Sequence, residues 1–412
     1  MHILLIHQAF ASLDEPGGTR HYEFARLLTA RGHRVTVIAS PVSYITGEAS
    51  DASSSHRKRE IEGVAIRRAP VYAAHHKSFA HRIIAFVSFM LSSFWIGLGV
   101  KNVDVVWGTS PPIFQGVTAW ALARLKRARF LFEVRDLWPQ FAIAVGVLRN
   151  PLLIGASEWL ERSLYRAADQ VVINSPGFAE HVRAKGARSV ELIPNGADPS
   201  MFDPADDGQE FRMAHGLEHS FVVLYAGAHG MSNDLVVVLE AASRLRDRNI
   251  EFVLVGDGKE KPALQRRAEA LGLKNVTFAA PLPKGEMPKA LAGADACIAI
   301  LKPLDEYKTT YPNKVFDYMA AGKPIVLAID GVIREVVEEA NCGLFVEPGD
   351  PDAMAQAICQ LADDPERCRW MGQQGRRYLE EHFSREKVAE RLVAVLESLK
   401  GDPAAVGRRE GS

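Results

Sequence analysis

One segment in the C-terminal half carries charged residues where a helix is expected to begin. Residues 311–324 place Pro312 at the predicted first helical position and Gly322 just past the helix end. Lys314 then lies in the first turn, against the positive end of the helix dipole, at a local cost of roughly 0.3–1 kcal/mol. A bound anion would remove this conflict. The pattern predicts an anion site; the alternative is an exposed lysine whose stem bends into water.

The same helix offers a hydrogen-bond acceptor. Val315 and Met319 form its inward pair, whereas Lys314 and Asp317 share a different face. We expect the Asp317 carboxylate to accept hydrogen bonds from the vicinal hydroxyls of a ribose.

A second charged group follows a predicted strand in the N-terminal half. Arg135 and Asp136 emerge directly after the apolar run 130–134. The guanidinium can hold a phosphate through two parallel hydrogen bonds, and the carboxylate can orient a sugar hydroxyl. A structural Arg–Asp pair packed near Trp138 is the alternative.

The loop after the first predicted strand reads Pro-Gly-Gly-Thr-Arg at 16–20. Paired glycines let backbone N–H groups approach a phosphate at a helix N-terminus. A flexible surface turn is the alternative, because the spacing matches neither the dinucleotide fingerprint nor the P-loop.

Several catalytic patterns are missing from the sequence. It has no HExxH, zinc-ligand spacing or GxSxG, and no Asp-x-Asp pair directly follows a predicted strand. We therefore expect no metal, and we expect lysine, arginine and helix N-termini to neutralise a leaving phosphate.

The elements that position these groups alternate between strand and helix. A strand at 3–6, a helix around Phe24 and a strand at 35–38 form a strand–helix–strand unit, which predicts a parallel sheet with a right-handed crossover. Further strands are predicted at 103–107, 130–134, 170–173, 190–193, 221–225, 251–255, 275–278, 296–300, 324–328 and 343–346.

Two open α/β sheets of similar size follow from this pattern. We place the first domain at 1–200 and the second at 201–383, expect a helix at 384–399 to pack back on the first domain, and expect a disordered tail at 400–412. Ligands of such sheets bind at the carboxyl ends of the strands, so we predict a cleft where the two sets of strand ends face each other.

Composition describes an ordinary folded protein. Hydrophobic residues make up 47% and charged residues 24% of the 412 residues. The four cysteines form no CxxC pair, and the first apolar run is too short for a signal peptide, so we expect a reduced, cytoplasmic protein.

Charge is divided unevenly between the two halves. Residues 1–200 carry 23 Lys and Arg against 16 Asp and Glu, whereas residues 201–412 carry 26 against 34. A basic N-terminal half suggests an anionic partner for that half alone. Nucleic acid is possible, but phospholipid headgroups are favoured by the segment described next.

A basic segment at 56–82 leads into an apolar run at 83–100. Eighteen residues approach membrane-spanning length, but five of them are Ser or Gly. We expect a helix with one face in the domain core and the other on the bilayer, with the protein attached peripherally to the cytoplasmic face of the membrane. A core helix is the alternative.

Short motifs in a fixed order link these features. They are residues 16–20, 135–139 (Arg-Asp-Leu-Trp-Pro), 194–198 (Pro-Asn-Gly-Ala-Asp), 254–258 (Leu-Val-Gly-Asp-Gly), 312–324 and 343–349 (Gly-Leu-Phe-Val-Glu-Pro-Gly). With them, the chain resembles the retaining glycosyltransferases of family 4, which have the GT-B fold. Within that family it looks most like the WbuB-type, L-fucosamine transferase-like enzymes of surface-polysaccharide assembly.

The resemblance implies transfer of a sugar from a UDP-sugar to a lipid-linked or saccharide acceptor, with no metal and with retention at the anomeric carbon. The expected sugar is an N-acetylated amino or deoxyamino sugar. Asp317 falls where the second Glu of the family's Glu-x7-Glu pair contacts ribose, but Thr309 stands at the first Glu. The family's Arg and Lys after the first strand of this domain are replaced by glycines and His229, so Lys314 and Lys308 are predicted to supply the positive charge.

The resemblance also assigns the remaining residues of the site. Arg135, Asp136 and Lys314 are predicted to be catalytic, and Gly256 and Gly258 to form a nucleotide-binding loop. The predicted donor diphosphate site comprises Gly17, Gly18, Thr19, Arg20, Gly230, Lys308, Asn313 and Lys314. Two other functions stay open: a sugar-nucleotide epimerase of similar fold, and an inactive sugar-nucleotide-binding subunit.

Overall fold

The computed structural model describes residues 1–15, 17–42, 58–72 and 79–401. They form two compact units. The N-terminal unit contains Met1–Ala11, Gly18–Pro194 and the chain from Glu386 onward. The C-terminal unit contains Ser12–Gly17 and Asn195–Arg385.

The N-terminal unit is built on an eight-stranded sheet with the order β3-β4-β2-β1-β5-β6-β7-β8. Neighbouring strands are parallel except for the β3–β4 hairpin. The strands are β1 (His2–Ile6), β2 (Arg34–Ala39), β3 (Lys58–Ile61), β4 (Val64–Arg68), β5 (Val105–Ser110), β6 (Arg129–Val134), β7 (Gln170–Ile173) and β8 (Val190–Leu192).

Six helices connect these strands and cover both faces of the sheet. They are α1 (Arg20–Ala30), α2 (Phe79–Leu98), α3 (Phe114–Lys126), α4 (Gln140–Ala144), α5 (Pro151–Ala167) and α6 (Ala179–Ala184). The β4–α2–β5, β5–α3–β6 and β6–α5–β7 connections step in one direction along the sheet, and β1–α1–β2 steps in the other. Right-handed crossovers therefore put α2, α3 and α5 on one face and α1 on the opposite face.

The C-terminal unit has a six-stranded, fully parallel sheet with the order β11-β10-β9-β12-β13-β14. Its strands are β9 (Phe221–Ala226), β10 (Ile250–Val255), β11 (Val276–Ala279), β12 (Ala296–Ile300), β13 (Ile325–Ala328) and β14 (Gly343–Phe345). Its helices are α7 (Gln209–His215), α8 (Leu235–Arg244), α9 (Lys261–Ala270), α10 (Met287–Ala292), α11 (Asn313–Ala320), α12 (Val332–Glu339), α13 (Pro351–Ala362) and α14 (Pro365–His382).

The last helix, α15 (Arg385–Gly401), joins the N-terminal unit. Glu390 pairs with Arg31 after α1, and the Leu399 carbonyl accepts a hydrogen bond of 3.2 Å from Arg129 Nε. Of the disordered tail predicted at 400–412, residues 400 and 401 instead belong to α15, and residues 402–412 lie outside the described residues.

The predicted α/β fold with two parallel sheets is confirmed, and the predicted strands at 170–173 and 296–300 coincide with β7 and β12. The β3–β4 hairpin was not predicted. It turns at Glu62 and Gly63, which both have positive φ, 49° and 79°. This two-residue turn requires such angles, and the basic charges around it suggested a surface segment instead.

The apolar run 83–100 forms most of α2, which starts four residues earlier and ends at Leu98. Ala85, Phe89 and Ser93 are buried at helical spacing, so one face of α2 packs into the unit. Within the described part of the chain, α2 is the one helix long and apolar enough to cross a membrane. Residues 56–57 and 73–78 of the basic segment, with His56, Arg57 and Lys77, lie outside the described residues.

Candidate functional site

Helix α11 lies beside the point where the C-terminal sheet reverses its strand order. Strands β9 and β12 are neighbours there, and the connections from β9 and from β12 leave in opposite directions. Parallel sheets bind ligands at such switch points. The Tyr318 hydroxyl of α11 accepts a 2.9 Å hydrogen bond from the Ala226 N–H and donates over 3.3 Å to the Ile298 carbonyl. This hydroxyl fixes α11 to the end of β9 and to the middle of β12.

Lys314 occupies the first turn of α11, as predicted, with Pro312 as the residue before the helix. Its ammonium lies 3.8 Å from the centroid of the Tyr225 ring and 3.5 Å from Asn233 Oδ1. No carboxylate of the described residues lies within 4.0 Å of it. Burial lowers the pKa of Lys314 to about 7. The side chain is therefore not the fully exposed lysine of the alternative interpretation.

The loop after β9 approaches this lysine closely. A Cβ atom on Gly227 would lie 2.9 Å from Lys314 Nζ, and Gly227 has a φ of 148°. Gly256 and Gly258 follow β10, and Cβ atoms on them would lie 1.9 Å from the Gly227 carbonyl oxygen and 2.5 Å from the His229 carbonyl oxygen. The two glycine-containing loops thus stack backbone against backbone, which only glycine allows. Their predicted contact with a nucleotide stays a prediction.

His229 is fully buried within this loop pair. Neither ring nitrogen has a hydrogen-bond partner among the described residues. Burial, with a smaller effect of Lys261, lowers the pKa of His229 to about 4, so the ring is neutral and one N–H is unused. Lys261 donates to the carbonyls of Gly256 and Ala279, at 2.7 and 2.8 Å, and holds the second loop in place.

Asp317 is half-buried on α11, and its carboxylate pairs with Lys284, which follows β11. This partner was not predicted, because β11 and α11 are far apart in sequence. The pair holds the carboxylate in one position while leaving it partly accessible. Contact with a ribose stays a prediction.

Lys308 has carboxylate partners that were not predicted. Its ammonium is exposed and pairs with Asp305 at 2.9 Å, with Asp330 at 3.8 Å. Exposed ion pairs of this kind are weak, so the predicted contact of Lys308 with a diphosphate stays a prediction. Asn313 is exposed at the start of α11 and Gly230 is half-buried, so both stay available to a ligand. Thr309, at the position of the family's first Glu, donates to the Glu306 carbonyl at 2.6 Å.

The predicted Gly-Gly-Thr-Arg site is corrected in part. Gly17 belongs to the C-terminal unit, whereas Gly18, Thr19 and Arg20 belong to the N-terminal unit. Gly18 is exposed, but the Thr19 hydroxyl turns inward and donates to Glu23 at 2.5 Å. Arg20 is buried, so its predicted role as a phosphate ligand is wrong.

Arg20 instead belongs to a buried network around Glu133 of β6. Glu133 Oε1 lies 3.0 Å from Arg20 Nε, and Oε2 lies 2.6 Å from His21 Nε2 and 3.2 Å from Trp107 Nε1. Arg20 also donates to the carbonyls of Ile193 and Pro194. Burial raises the pKa of Glu133, but His21 and Arg20 outweigh it and hold the pKa well below the usual value. Burial lowers the pKa of His21 to about 4, so Arg20 is the cation of the network.

Arg135 and Asp136 lie at the end of β6, as predicted. Arg135 Nη2 donates to the Pro111 carbonyl at 3.2 Å. Asp136 Oδ1 is buried with no hydrogen-bond partner in the described part of the chain, and burial raises its pKa to about 7 against the opposing effect of Arg135. Its carboxyl group therefore titrates near neutral pH, which suits a group that exchanges hydrogen bonds with a sugar hydroxyl.

Two family models match the chain. Residues 17–196 match the model described as Glycosyl transferase 4-like domain, and residues 220–364 match the one described as Glycosyl transferases group 1. The first match covers most of the N-terminal unit, and the second contains Lys314 with its surrounding loops. The chain is a glycosyltransferase with a 4-like domain and a group 1 domain.

Similar proteins agree with this family. The glycosyltransferase is 26% identical over 352 residues to WcaI of Escherichia coli, which is named as a colanic acid biosynthesis glycosyl transferase. That alignment covers 82% of this chain and 86% of WcaI.

Solved structures confirm the fold. Sucrose-phosphate synthase from Thermosynechococcus elongatus has a TM-score of 0.79 at 18% identity, covering 97% of this chain and 98% of that one. Anabaena HepE in complex with UDP-glucose has a TM-score of 0.71 at 16% identity, covering 97% and 100%. The glycosyltransferase has the predicted GT-B fold.

Proposed function

We propose that this glycosyltransferase moves a sugar from a UDP-sugar, held by the C-terminal unit, to a lipid-linked or saccharide acceptor in surface-polysaccharide assembly. The name of WcaI supports the process, and the UDP-glucose complex of HepE supports the class of donor. The resemblance of residues 135–139 and of the basic-then-apolar segment at 56–100 to WbuB-type transferases favours an N-acetylated amino or deoxyamino sugar.

One observation carries this proposal: in the first turn of α11, Lys314 has no carboxylate partner among the residues that the structure describes. The turn has no side-chain cap, so the N–H groups of Asn313 and Lys314 are free of intrahelical partners. The oxygens of a diphosphate would accept hydrogen bonds from these N–H groups and from the Lys314 ammonium at the same time. His229, with its unused N–H, lies on the adjacent loop.

The same groups account for the chemistry. The bond between the anomeric carbon and the diphosphate oxygen breaks, and a bond from the acceptor oxygen forms on the same face of the sugar. The departing diphosphate takes the acceptor proton. Negative charge grows on the diphosphate in the transition state, so Lys314 and the α11 N-terminus stabilise that state more than the bound donor. Asp136 and Arg135 are proposed to orient the acceptor. No metal is required, and chelation should leave turnover unchanged.

We place the reaction at the cytoplasmic face of the membrane, with α2 lying on the bilayer. Ile84, Leu91 and Trp95 are exposed on the side of α2 opposite its buried face. The helix is tied to the unit: Ser88 Oγ accepts from the Tyr72 N–H at 2.9 Å, and Lys126 Nζ donates to the Leu98 carbonyl at 3.1 Å. A helix anchored at its middle and at its C-terminal end fits a position in the interface better than a crossing one. Each basic residue near the membrane surface strengthens binding to anionic lipid by about 1 kcal/mol.

Calorimetric titration with UDP and turnover of a UDP-sugar panel test the proposal. Lys314→Ala should weaken UDP binding about tenfold and lower turnover about tenfold or more, since one lost charge-assisted contact is worth about 1.4 kcal/mol or more. Lys289→Ala is the matched control, because Lys289 is exposed and paired with Glu210. Binding and turnover that survive Lys314→Ala would contradict the assignment. UDP binding without UDP release for any membrane-extracted acceptor would favour the inactive-subunit alternative.

A further inference from the structure

Nine large hydrophobic side chains are exposed on three neighbouring helices of the N-terminal unit. The helices share one face of the sheet, and they contact each other in sequence. A Cβ atom on Gly97 of α2 would lie 2.4 Å from Leu122 of α3, and one on Gly116 of α3 would lie 2.9 Å from Leu164 of α5. The exposed residues are Ile84, Leu91, Trp95 and Leu98 of α2, Trp120 and Leu125 of α3, and Leu152, Leu153 and Trp159 of α5. We call them the three-helix apolar face.

Helix α5 contributes the most exposed of these residues. Leu152 is 82% exposed and Trp159 is 67% exposed, against 71% for Trp95 of α2. Leu152 and Trp159 are seven residues apart, so they point in the same direction from α5. Only the small residues Gly155 and Ala156 lie between them on that side, and both are exposed. Exposed apolar side chains of this size stabilise an assembly only when another surface covers them and removes them from water.

The three helices of the apolar face carry a net positive charge. Helices α2, α3 and α5 contain five Lys and Arg against two Asp and Glu. One of the two acids, Glu161, is buried and pairs with Lys185 and His181. The other, Glu158, pairs with Arg162 on the same helix. A net positive surface repels a second copy of itself and attracts an anionic one.

We propose that α5 is a second membrane contact and that the three-helix apolar face as a whole rests on an anionic phospholipid bilayer. This rests on the proposed function, which places α2 alone on the membrane, and extends it to α3 and α5. Trp95 and Trp159 are the anchors, because an indole buries its ring at the headgroup level and keeps its N–H in a polar layer. Two separated anchors hold the N-terminal unit in one orientation, whereas α2 alone would let it roll about the helix axis.

The full-length protein can be tested with vesicles of phosphatidylglycerol and phosphatidylethanolamine. The α5 pair Leu152→Ser/Trp159→Ser and the α2 pair Leu91→Ser/Trp95→Ser are compared with Trp370→Ser, an exposed tryptophan on α14 of the C-terminal unit. Flotation measures binding, and quenching by brominated phospholipids reports which tryptophans enter the bilayer. Each pair should reduce binding about tenfold, which is about 1.4 kcal/mol. Trp370→Ser should bind as the wild type does.

The outcomes distinguish the proposed α5 contact from membrane attachment as a whole. Wild-type binding by the α5 pair, with loss in the α2 pair, would overturn the α5 contact and leave membrane attachment intact. No binding by the wild type would overturn membrane attachment itself. A wild-type dimer in solution that Trp159→Ser dissociates would show that a second copy covers the face, and it would also overturn the proposal. UDP binding should stay unchanged in both pairs, since the exposed side chains lie outside the C-terminal unit.

Discussion

The ammonium nitrogen of Lys314 lies 3.8 Å from the centre of the Tyr225 ring. The ring face attracts the cation, and the ring itself is fixed because the Tyr225 hydroxyl donates to the Ala228 carbonyl at 2.8 Å. An aromatic face orients a cation without cancelling its charge. Lys314 is thus held in place although no carboxylate of the described residues neutralises it. A carboxylate partner would hold it equally well but would cancel its charge.

Proton uptake should accompany UDP binding. Burial lowers the pKa of Lys314 to about 7, so the free protein is about half protonated there at neutral pH. A diphosphate favours the charged lysine and raises its pKa in the complex. Affinity should therefore be highest below about pH 7 and should fall as pH rises through the pKa of the complex.

Calorimetry in buffers of different ionisation enthalpy measures the uptake. Titrations above about pH 7 avoid the terminal phosphate, whose own pKa is about 6. Lys314→Met should abolish the uptake and flatten the pH dependence. An affinity that does not change between pH 7 and 9 in the wild type would refute a titrating Lys314.

Gly227→Ala should act through Lys314. The new Cβ atom would lie 2.9 Å from Lys314 Nζ and 3.3 Å from the Tyr225 hydroxyl, at a φ of 148°. We expect UDP affinity to fall about tenfold as the ammonium is displaced, with a loss of about 1–3 kcal/mol in unfolding free energy from backbone strain. In the double variant with Lys314→Ala, UDP binding should be no weaker than in Lys314→Ala alone. Additive losses would mean that Gly227 acts independently of the lysine.

Both sheets could be predicted because parallel strands covered on two faces read as apolar runs bounded by polar loops. Lys314 could be found because a lysine in a first helical turn breaks a local rule. Tyr225 and Lys284 could not, because their contacts with α11 join elements distant in sequence. Nothing local to either residue indicates such a partner.

Arg20 shows how a local pattern misleads. An arginine after two glycines at a helix start resembles a phosphate site, but its partner Glu133 lies on a distant strand. The sequence did contain a signal, since Glu133 interrupts an otherwise apolar strand, Phe-Leu-Phe-Glu-Val. A charged residue in a buried strand requires a buried partner of opposite charge.

Lys284 should support the role predicted for Asp317. If Asp317 receives the ribose hydroxyls, Lys284→Ala leaves the acceptor group in place but lets it move. We expect the donor KM to rise severalfold with kcat nearly unchanged, and Asp317→Ala to raise it further. Steady-state kinetics with varied donor measures both. A fall in kcat with an unchanged donor KM would place the pair outside ribose binding.

Glu133→Gln should destabilise the N-terminal unit by roughly 3–5 kcal/mol, because it leaves the buried Arg20 without an anion. The pKa of Glu133 is well below its usual value, so its contribution is complete above about pH 4.5 and is lost as pH falls toward the folded-state pKa. The variant should consequently lose less stability than the wild type on acidification below that pH. Urea unfolding followed by tryptophan fluorescence measures this, since five of the six tryptophans lie in the N-terminal unit. Glu338→Gln, which breaks an exposed pair with Arg334, is the control and should change stability by less than about 1 kcal/mol. Equal losses in the two variants would mean that Glu133 does not hold the core of the unit together.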